Sequence, residues 1–395
     1  MSWKETCPVT ERMKFVLEFQ KGERTLSELC RYFGITRRTG YKWLDRFNQS
    51  GVLGLQDASR APRNHPNVVA AEMEERIIEL REVHPRYGPR KLLYLLEGRE
   101  PERTWPCTST VGKILKDRGL IPERRRRRRA TPSASPFAQC NNPNETWCID
   151  FKGWFCTGDG RRCDPLTITD ASSRYLLCCH ALPTEQTQHV KSRMELVFGE
   201  YGLPKTIRSD NGTPFASTGL AGLSRLSVWW IKLGITPERI RPATPSENGR
   251  HERMHLTLKL HTAMPPRDTL RHQQQAFDEF RQEYNELRPH EALEMHTPAS
   301  CYVSSPTAYQ ARTPNPQYPQ HFIVRPVQQH GQIRFRGRRY FLTEALAGEY
   351  VGLEPDDGDD RRFKLHFFHI AIGWLYLSVP HALPLNSRPN KKGKG

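Results

Sequence analysis

Apolar residues recur at helical spacing through the first 120 positions. Met13, Val16, Leu17 and Phe19 lay an apolar stripe along one helix. Thr25 and Glu28 predict a capping box at the start of a helix over Leu26 to Phe33, which Gly34 ends. Thr36 predicts the cap of a further helix, Arg37 to Phe47, with Tyr41, Leu44 and Phe47 on its inner face. Helix, short glycine turn and helix are the layout of a helix-turn-helix. A second helical group follows. Met73, Ile77, Ile78 and Leu80 mark one helix, and Pro89 opens another carrying Leu92, Leu93, Leu95 and Leu96. Ser109 predicts the cap of a third, with Val111, Ile114 and Leu115.

The period changes after Glu145. Trp147 to Phe151, Leu166 to Asp170 and Arg174 to Leu182 read as strands, the last two joined by a D-A-S-S turn. Thr184 is placed to cap a helix bearing Val190, Met194, Val197 and Phe198, which Gly202 and Pro204 end. Lys205 to Arg208 is a further strand. Helical spacing resumes near 219–233, 248–263 and 267–287. This order predicts a mixed sheet with helices packed on it. From 321 to 380 short strands alternate with turns at regular intervals, which predicts a small β-barrel.

Composition places these elements in separate domains. The chain has 395 residues, of which only 36% are apolar and 31 are proline. Several modest cores joined by linkers fit that better than one large core. The boundaries expected are a helix-turn-helix domain at 1–60, a second helical DNA-binding domain at 70–121 and an Arg-rich linker at 122–144. A core follows at 145–300, then the β module at 321–380 and a disordered basic tail at 381–395. No stretch approaches the roughly 20 apolar residues of a membrane span, and the first residues lack the apolar core of a signal peptide. None of the ten cysteines forms a CxxC pair, so most read as small buried side chains in a reducing compartment.

Charge changes the picture more. The net charge is +17, and residues 1–130 carry 28 basic against 17 acidic side chains. A polyanionic partner follows, most simply double-stranded DNA. Arg37, Arg38 and Lys42 stand on the second helix of the first module, and Lys113 on the last helix of the second. Arg124, Arg125, Arg126, Arg127, Arg128 and Arg129 form an unbroken run. Such residues suit phosphates and guanine edges, although each set reads equally as a solvated basic face.

Three acids stand out by context: Asp150 in W-C-I-D-F, Asp210 in S-D-N-G-T-P-F and Glu252 in N-G-R-H-E-R-M-H. A carboxylate on a central strand is costly to bury alone. Converging carboxylates suit hard divalent cations, and two such ions clamp the attacking and leaving oxygens of a phosphoryl displacement. These three blocks, in this order, resemble the catalytic core of retroviral-integrase-type enzymes, and most of all bacterial insertion-sequence transposases. Y-N-E-L-R-P-H-E-A-L, from 284 to 293, is similar to the closing helix of the same family.

The resemblance implies a multidomain protein with N-terminal all-α helix-turn-helix modules, a central α/β RNase H-like core and the small β-barrel behind it. It implies Asp150, Asp210 and Glu252 as catalytic residues and metal ligands for two Mg²⁺ ions, with Mn²⁺ as a substitute. It also implies cleavage at transposon terminal repeats, joining of the 3′ hydroxyl to target DNA, a homodimer or higher oligomer on DNA, and a bacterial, nucleoid-associated cytoplasmic location without a membrane.

The spacing departs from the family's usual one, because 41 residues separate Asp210 from Glu252. Glu247 fits the spacing better but precedes the glycine. Five residues on a helix turn by about 140°, so Glu247 and Glu252 cannot face the same ions. Asp170 reads as a turn former. His255 and Lys259, three and seven residues beyond Glu252, fall on its helical face and suit DNA phosphates. The competing reading is a catalytically inactive helix-turn-helix regulator derived from such an element.

Overall fold

The computed structural model describes residues 7–58, 68–121, 140–240, 249–313 and 315–387. Residues 122–139 of the expected Arg-rich linker, with Arg124 to Arg129, fall outside the described residues, as do Glu247 and residues 388–395 of the expected tail. The chain divides into two compact units, Met1–Met73 and Glu74–Gly395.

The first unit is three helices, α1 (Pro8–Gln20), α2 (Leu26–Tyr32) and α3 (Arg37–Ser50), closed by a 3-10 turn at Gly51–Leu55. The capping box forms as its sequence predicts: the Glu28 amide donates to Thr25 Oγ1, and Glu28 returns a bond to the Thr25 amide. Gly34 takes φ +63°, which lets the Ile35 amide reach back to Cys30. Thr36 caps α3 by accepting from the Thr39 amide. The inner faces differ from expectation. Phe15 and Val16, not Leu17 and Phe19, fill the core from α1, and α3 turns Gly40, Trp43 and Leu44 inward while Tyr41 is exposed. Gly40 sets that rotation. A Cβ there would meet Cys30 Sγ at 2.7 Å, so only glycine lets α3 lie so close to α2.

The division between the units falls in the first turn of α4 (Ala71–Val83), which with α5 (Pro89–Arg99) and α6 (Thr108–Asp117) closes over Ile77, Leu80, Leu92, Leu96, Val111 and Leu115. The residue before α6 is Cys107, whose thiol contacts the Ser109 and Thr110 hydroxyls, so Ser109 lies inside the helix and is not its cap. Tyr87, in the α4–α5 turn, donates its hydroxyl to Glu283 Oε1 at 2.9 Å and so ties this bundle to the core.

The core sheet has β1 (Thr146–Phe151) at its centre. On one side β3 (Arg162–Asp170) pairs antiparallel with it, and β4 (Leu176–Leu182) pairs antiparallel with β3. On the other side β5 (Thr206–Ser209) and β6 (Thr236–Arg239) run parallel to β1. A short β2 (Phe155–Cys156) extends the β3 edge. Successive side chains on a strand face opposite ways. Trp147, Ile149, Leu166 and Ile168 therefore meet α7 (Thr187–Tyr201), through Val190, Met194, Val197 and Phe198. The opposite face carries α9 (Gly249–Thr262) and α10 (Leu270–Gln282), whose Met254, Leu258, Phe277 and Phe280 pack on Cys163, Leu176 and Cys179. This is an RNase H-like core. The residue before α7 is Gln186, which makes no side-chain cap; the Thr184 hydroxyl bonds His189 Nδ1 instead.

Between β5 and β6 lies α8 (Arg225–Lys232), and it is apolar on two sides. Leu226, Trp229 and Trp230 enter the sheet core, whereas Val228 and Ile231 join the core of the C-terminal module. That module holds β7 (Ile323–Pro326), β8 (Gln332–Phe335), β9 (Arg338–Phe341), β10 (Tyr350–Asp356), β11 (Asp359–Phe367) and β12 (Ile370–Tyr376). The sequence pattern predicts a barrel. The described strands form instead a four-stranded antiparallel sheet, β12-β11-β10-β7, and a separate β8–β9 hairpin, with no closed barrel. Regular strand spacing specifies hairpins but not closure, which depends on pairing between distant edges.

Candidate active site

Asp150 is the penultimate residue of β1, and its side chain is 19% exposed. On the neighbouring strand it pairs in register with Thr167, as Cys148 does with Thr169, so these four side chains share the face under α9. The first two turns of α9 put His251 and His255 on that face, 2% and 7% exposed. His251 Nδ1 lies 3.0 Å from Thr169 Oγ1, and its Nε2 lies 2.6 Å from Thr167 Oγ1. His255 Nε2 is 2.7 Å from the same Thr167 hydroxyl, and its Nδ1 is 4.0 Å from Asp150 Oδ2. Burial keeps both rings neutral. His251 is pushed down to about 3, and His255 is lowered by burial and further by His251 and Lys152. Among the described residues, Asp150, His251 and His255 are the one set of His, Cys, Asp or Glu whose ligand atoms lie close enough for a metal ion, all within 4.8 Å.

Asp210 immediately follows β5. The parallel register pairs Cys148 with Arg208, and two residues further along each strand stand Asp150 and Asp210. The paired register ends at Cys148 and Arg208, so Asp150 and Asp210 each follow the last paired residue, Asp210 just beyond the end of β5. The Gly212 amide donates to Asp210 Oδ1 at 3.0 Å, and the Asn211 side chain ties the turn to the Ile240 carbonyl. A Cβ on Gly212 would lie 3.0 Å from Asp210 Oδ2, so the glycine gives the carboxylate its room.

Glu252 is in the first turn of α9 and is exposed. Leu256 and Lys259 follow it on the same solvent-facing stripe. Neither Asp210 nor Glu252 belongs to the close set around Asp150. The helical face expected to hold Glu252, His255 and Lys259 together is thus divided: His255 turns under the helix to the sheet and is 7% exposed, while Glu252 and Lys259 face solvent. The charges of Lys259 and Asp150 both act on Lys152, whose affinity for its proton is lowered first by burial and then by Lys259. Asp170 serves the turn. Its oxygens accept from the Asn144 amide at 2.8 Å and from the Ser173 amide and hydroxyl at 2.8 and 2.7 Å.

Sequence reasoning missed His251 and Thr167. The signal was present: H-E-R-M-H sets two histidines four apart on a helix, and T-I-T sets two hydroxyls on one face of a strand. The basic residues proposed from sequence stand where their helices allow: Arg37, Arg38 and Lys42 are exposed on α3, and Lys113 on α6. No helix among the described residues is long and apolar enough to cross a membrane.

Comparison with known proteins adds four family matches. Residues 11–63 match a helix-turn-helix domain and 39–115 a homeodomain-like domain. Residues 141–245 and 233–298 each match an integrase core domain. The chain is 28% identical over 262 residues to an uncharacterized 31.7 kDa protein of insertion element IS407 from Burkholderia multivorans, covering 63% of this chain and 88% of that protein. It is 24% identical to an uncharacterized 39.2 kDa protein of insertion element IS476 from Xanthomonas euvesicatoria, covering 59% of this chain and 65% of that protein. Among solved structures, the HTLV-2 integrase catalytic core domain in complex with magnesium aligns with 41% of this chain and 98% of its own, at 16% identity and a TM-score of 0.33.

Proposed function

With helix-turn-helix domains ahead of an integrase core of the bacterial insertion-sequence transposase type, we propose that the chain is a transposase that binds transposon ends, cleaves there and joins the 3′ hydroxyl to target DNA. The observation that supports this reading is a partly exposed Asp150 near the end of β1, with Asp210 directly after β5, the strand that runs parallel beside it. Glu252 enters from α9 as the third carboxylate. Closing onto DNA is its remaining requirement, since its side chain faces solvent.

The donor set suits divalent ions: a partly exposed carboxylate on β1 lies 4.0 Å from an imidazole nitrogen. Asp150, Asp210 and Glu252 would hold two Mg²⁺ ions, with Mn²⁺ as a substitute. Bound there, divalent ions stabilise charge on the attacking and leaving oxygens of a phosphodiester. The chain's own residues bind and orient. Lys259 on the α9 stripe and Lys152 at the end of β1 supply positive charge for the scissile backbone. Arg37, Arg38 and Lys42 hold the terminal repeat through α3, and Lys113 adds a further hold along the duplex. Two ends must be held at once, so the working form is a dimer or larger assembly on DNA.

Incubating the purified chain with DNA carrying its element's own ends and Mg²⁺ tests the reading. Nicked ends and joined products are expected. Specific binding with no product in Mg²⁺ or Mn²⁺ would identify a DNA-binding regulator instead.

A further inference from the structure

The Thr167 hydroxyl lies within hydrogen-bond reach of three groups. It donates to the Asp150 backbone carbonyl at 3.1 Å, and it meets the Nε2 atoms of His251 and His255 at 2.6 and 2.7 Å. A hydroxyl has one proton to give and two lone pairs. With that proton on the carbonyl, which can only accept, both imidazoles donate their Nε2 protons to the oxygen. The Thr169 hydroxyl then donates to His251 Nδ1 at 3.0 Å, which uses both nitrogens of that ring. His255 is left with a lone pair on Nδ1. That lone pair faces Asp150 Oδ2 across 4.0 Å, beyond hydrogen-bond length. Bonds from Zn²⁺ to an imidazole nitrogen or a carboxylate oxygen are about 2.0–2.2 Å, so an ion held between the two atoms would be within bonding range of both.

We propose that His255 Nδ1 is a direct ligand of the divalent ion that Asp150 holds, and that Thr167 and His251 fix the ring in the tautomer this requires. The inference rests on the reading of Asp150 as a metal ligand. It gives the site a mixed oxygen and nitrogen donor set. Such a set favours Mn²⁺, Co²⁺ or Zn²⁺, whereas a purely carboxylate site is suited to Mg²⁺. His251 is a positioning residue, because both of its nitrogens are already engaged.

Pulsed electron paramagnetic resonance of Mn²⁺ added to the full-length protein reads the ligand directly. The wild-type spectrum is expected to show nitrogen modulation that changes from the ¹⁴N to the ¹⁵N pattern when the histidines alone are ¹⁵N-labelled. This measurement needs no variant and so does not depend on one folding. His255→Gln should abolish the modulation and weaken Mn²⁺ binding about tenfold or more. His251→Gln should weaken binding but keep the modulation. Modulation that survives His255→Gln overturns the inference. So does an oxygen-only wild-type spectrum; if Asp150→Asn still abolishes Mn²⁺ binding in that case, the reading of Asp150 stands. Mn²⁺ binding that Asp150→Asn leaves unchanged overturns both.

Discussion

Two aspartates in this core do opposite work, and their partners show why. Asp170 is 1% exposed and spends both oxygens on the Asn144 and Ser173 donors, which pins the β3–β4 turn against the segment entering β1. Burial raises its pKa, and those same hydrogen bonds pull it back down. Asp170→Ala would leave the buried Asn144 and Ser173 amides without an acceptor. We expect a loss of about 2–4 kcal/mol in urea unfolding, since each orphaned donor costs its desolvation. Asp210 keeps one oxygen on the Gly212 amide and sits half-buried at an open strand end. Gly212→Ala should leave the unfolding midpoint nearly unchanged, because its Cβ meets only a carboxylate tip. The displaced carboxylate should slow DNA joining by about tenfold or more, with end binding unaltered. A gel assay of both steps checks this.

The elements show how much the sequence disclosed. Caps and breakers were legible in part: Thr25, Thr36, Gly34 and Gly202 act where local chemistry places them, whereas Ser109 and Thr184 do not cap their helices. Rotation was not. In α3 the pattern points Tyr41 inward, but close packing on Cys30 and Phe15 selects Gly40, and Trp43 follows it into the core. In α9 the same problem conceals chemistry, because nothing local shows that Thr167 and Thr169 draw two histidines to the sheet. The β6 segment T-P-E-R has no apolar period at all; it is a strand only because its backbone pairs with β5. The acids of the candidate site were proposed from their flanking motifs, whereas the parallel pairing of β1 with β5 comes from register that no local pattern specifies.

Helix α3 and the α4–α6 bundle each support a test. Arg37→Ala, Arg38→Ala and Lys42→Ala should each weaken end binding. Each should also lower the salt dependence of affinity by about one unit of log–log slope per phosphate that is no longer neutralised. A binding titration at several salt concentrations measures this. Tyr87→Phe removes the 2.9 Å bond to Glu283, which anchors the α4–α6 bundle on the end of α10. A bond to a charged acceptor is worth about 1.5–3 kcal/mol, so the thermal midpoint should fall while cleavage at low temperature persists.

For the whole molecule, helices with exposed basic residues are combined with a core that encloses several neutral histidines. His180 is pushed down to about 4 and His290 to about 3, in both cases chiefly by burial. The unfolded chain binds protons at these positions below about pH 6.5, whereas the folded chain does not. Stability is therefore full above that pH and falls as the pH drops toward 4. His180→Gln should flatten this fall in a pH series of unfolding midpoints. The net charge of +17 fits the proposed function, in which basic helices would bring DNA to a few acids.

The central claim is that Asp150, Asp210 and Glu252 act as one catalytic unit on DNA held by the rest of the chain. Its most direct measurement is the rate of strand joining by Asp150→Asn, Asp210→Asn, Glu252→Gln and the triple variant, each with end affinity measured in parallel. Groups that act as a unit are non-additive. Each single variant should lose about 10²–10³-fold or more and match the triple variant, with end affinity unchanged. A Glu252→Gln protein that joins DNA at close to the wild-type rate would contradict the account.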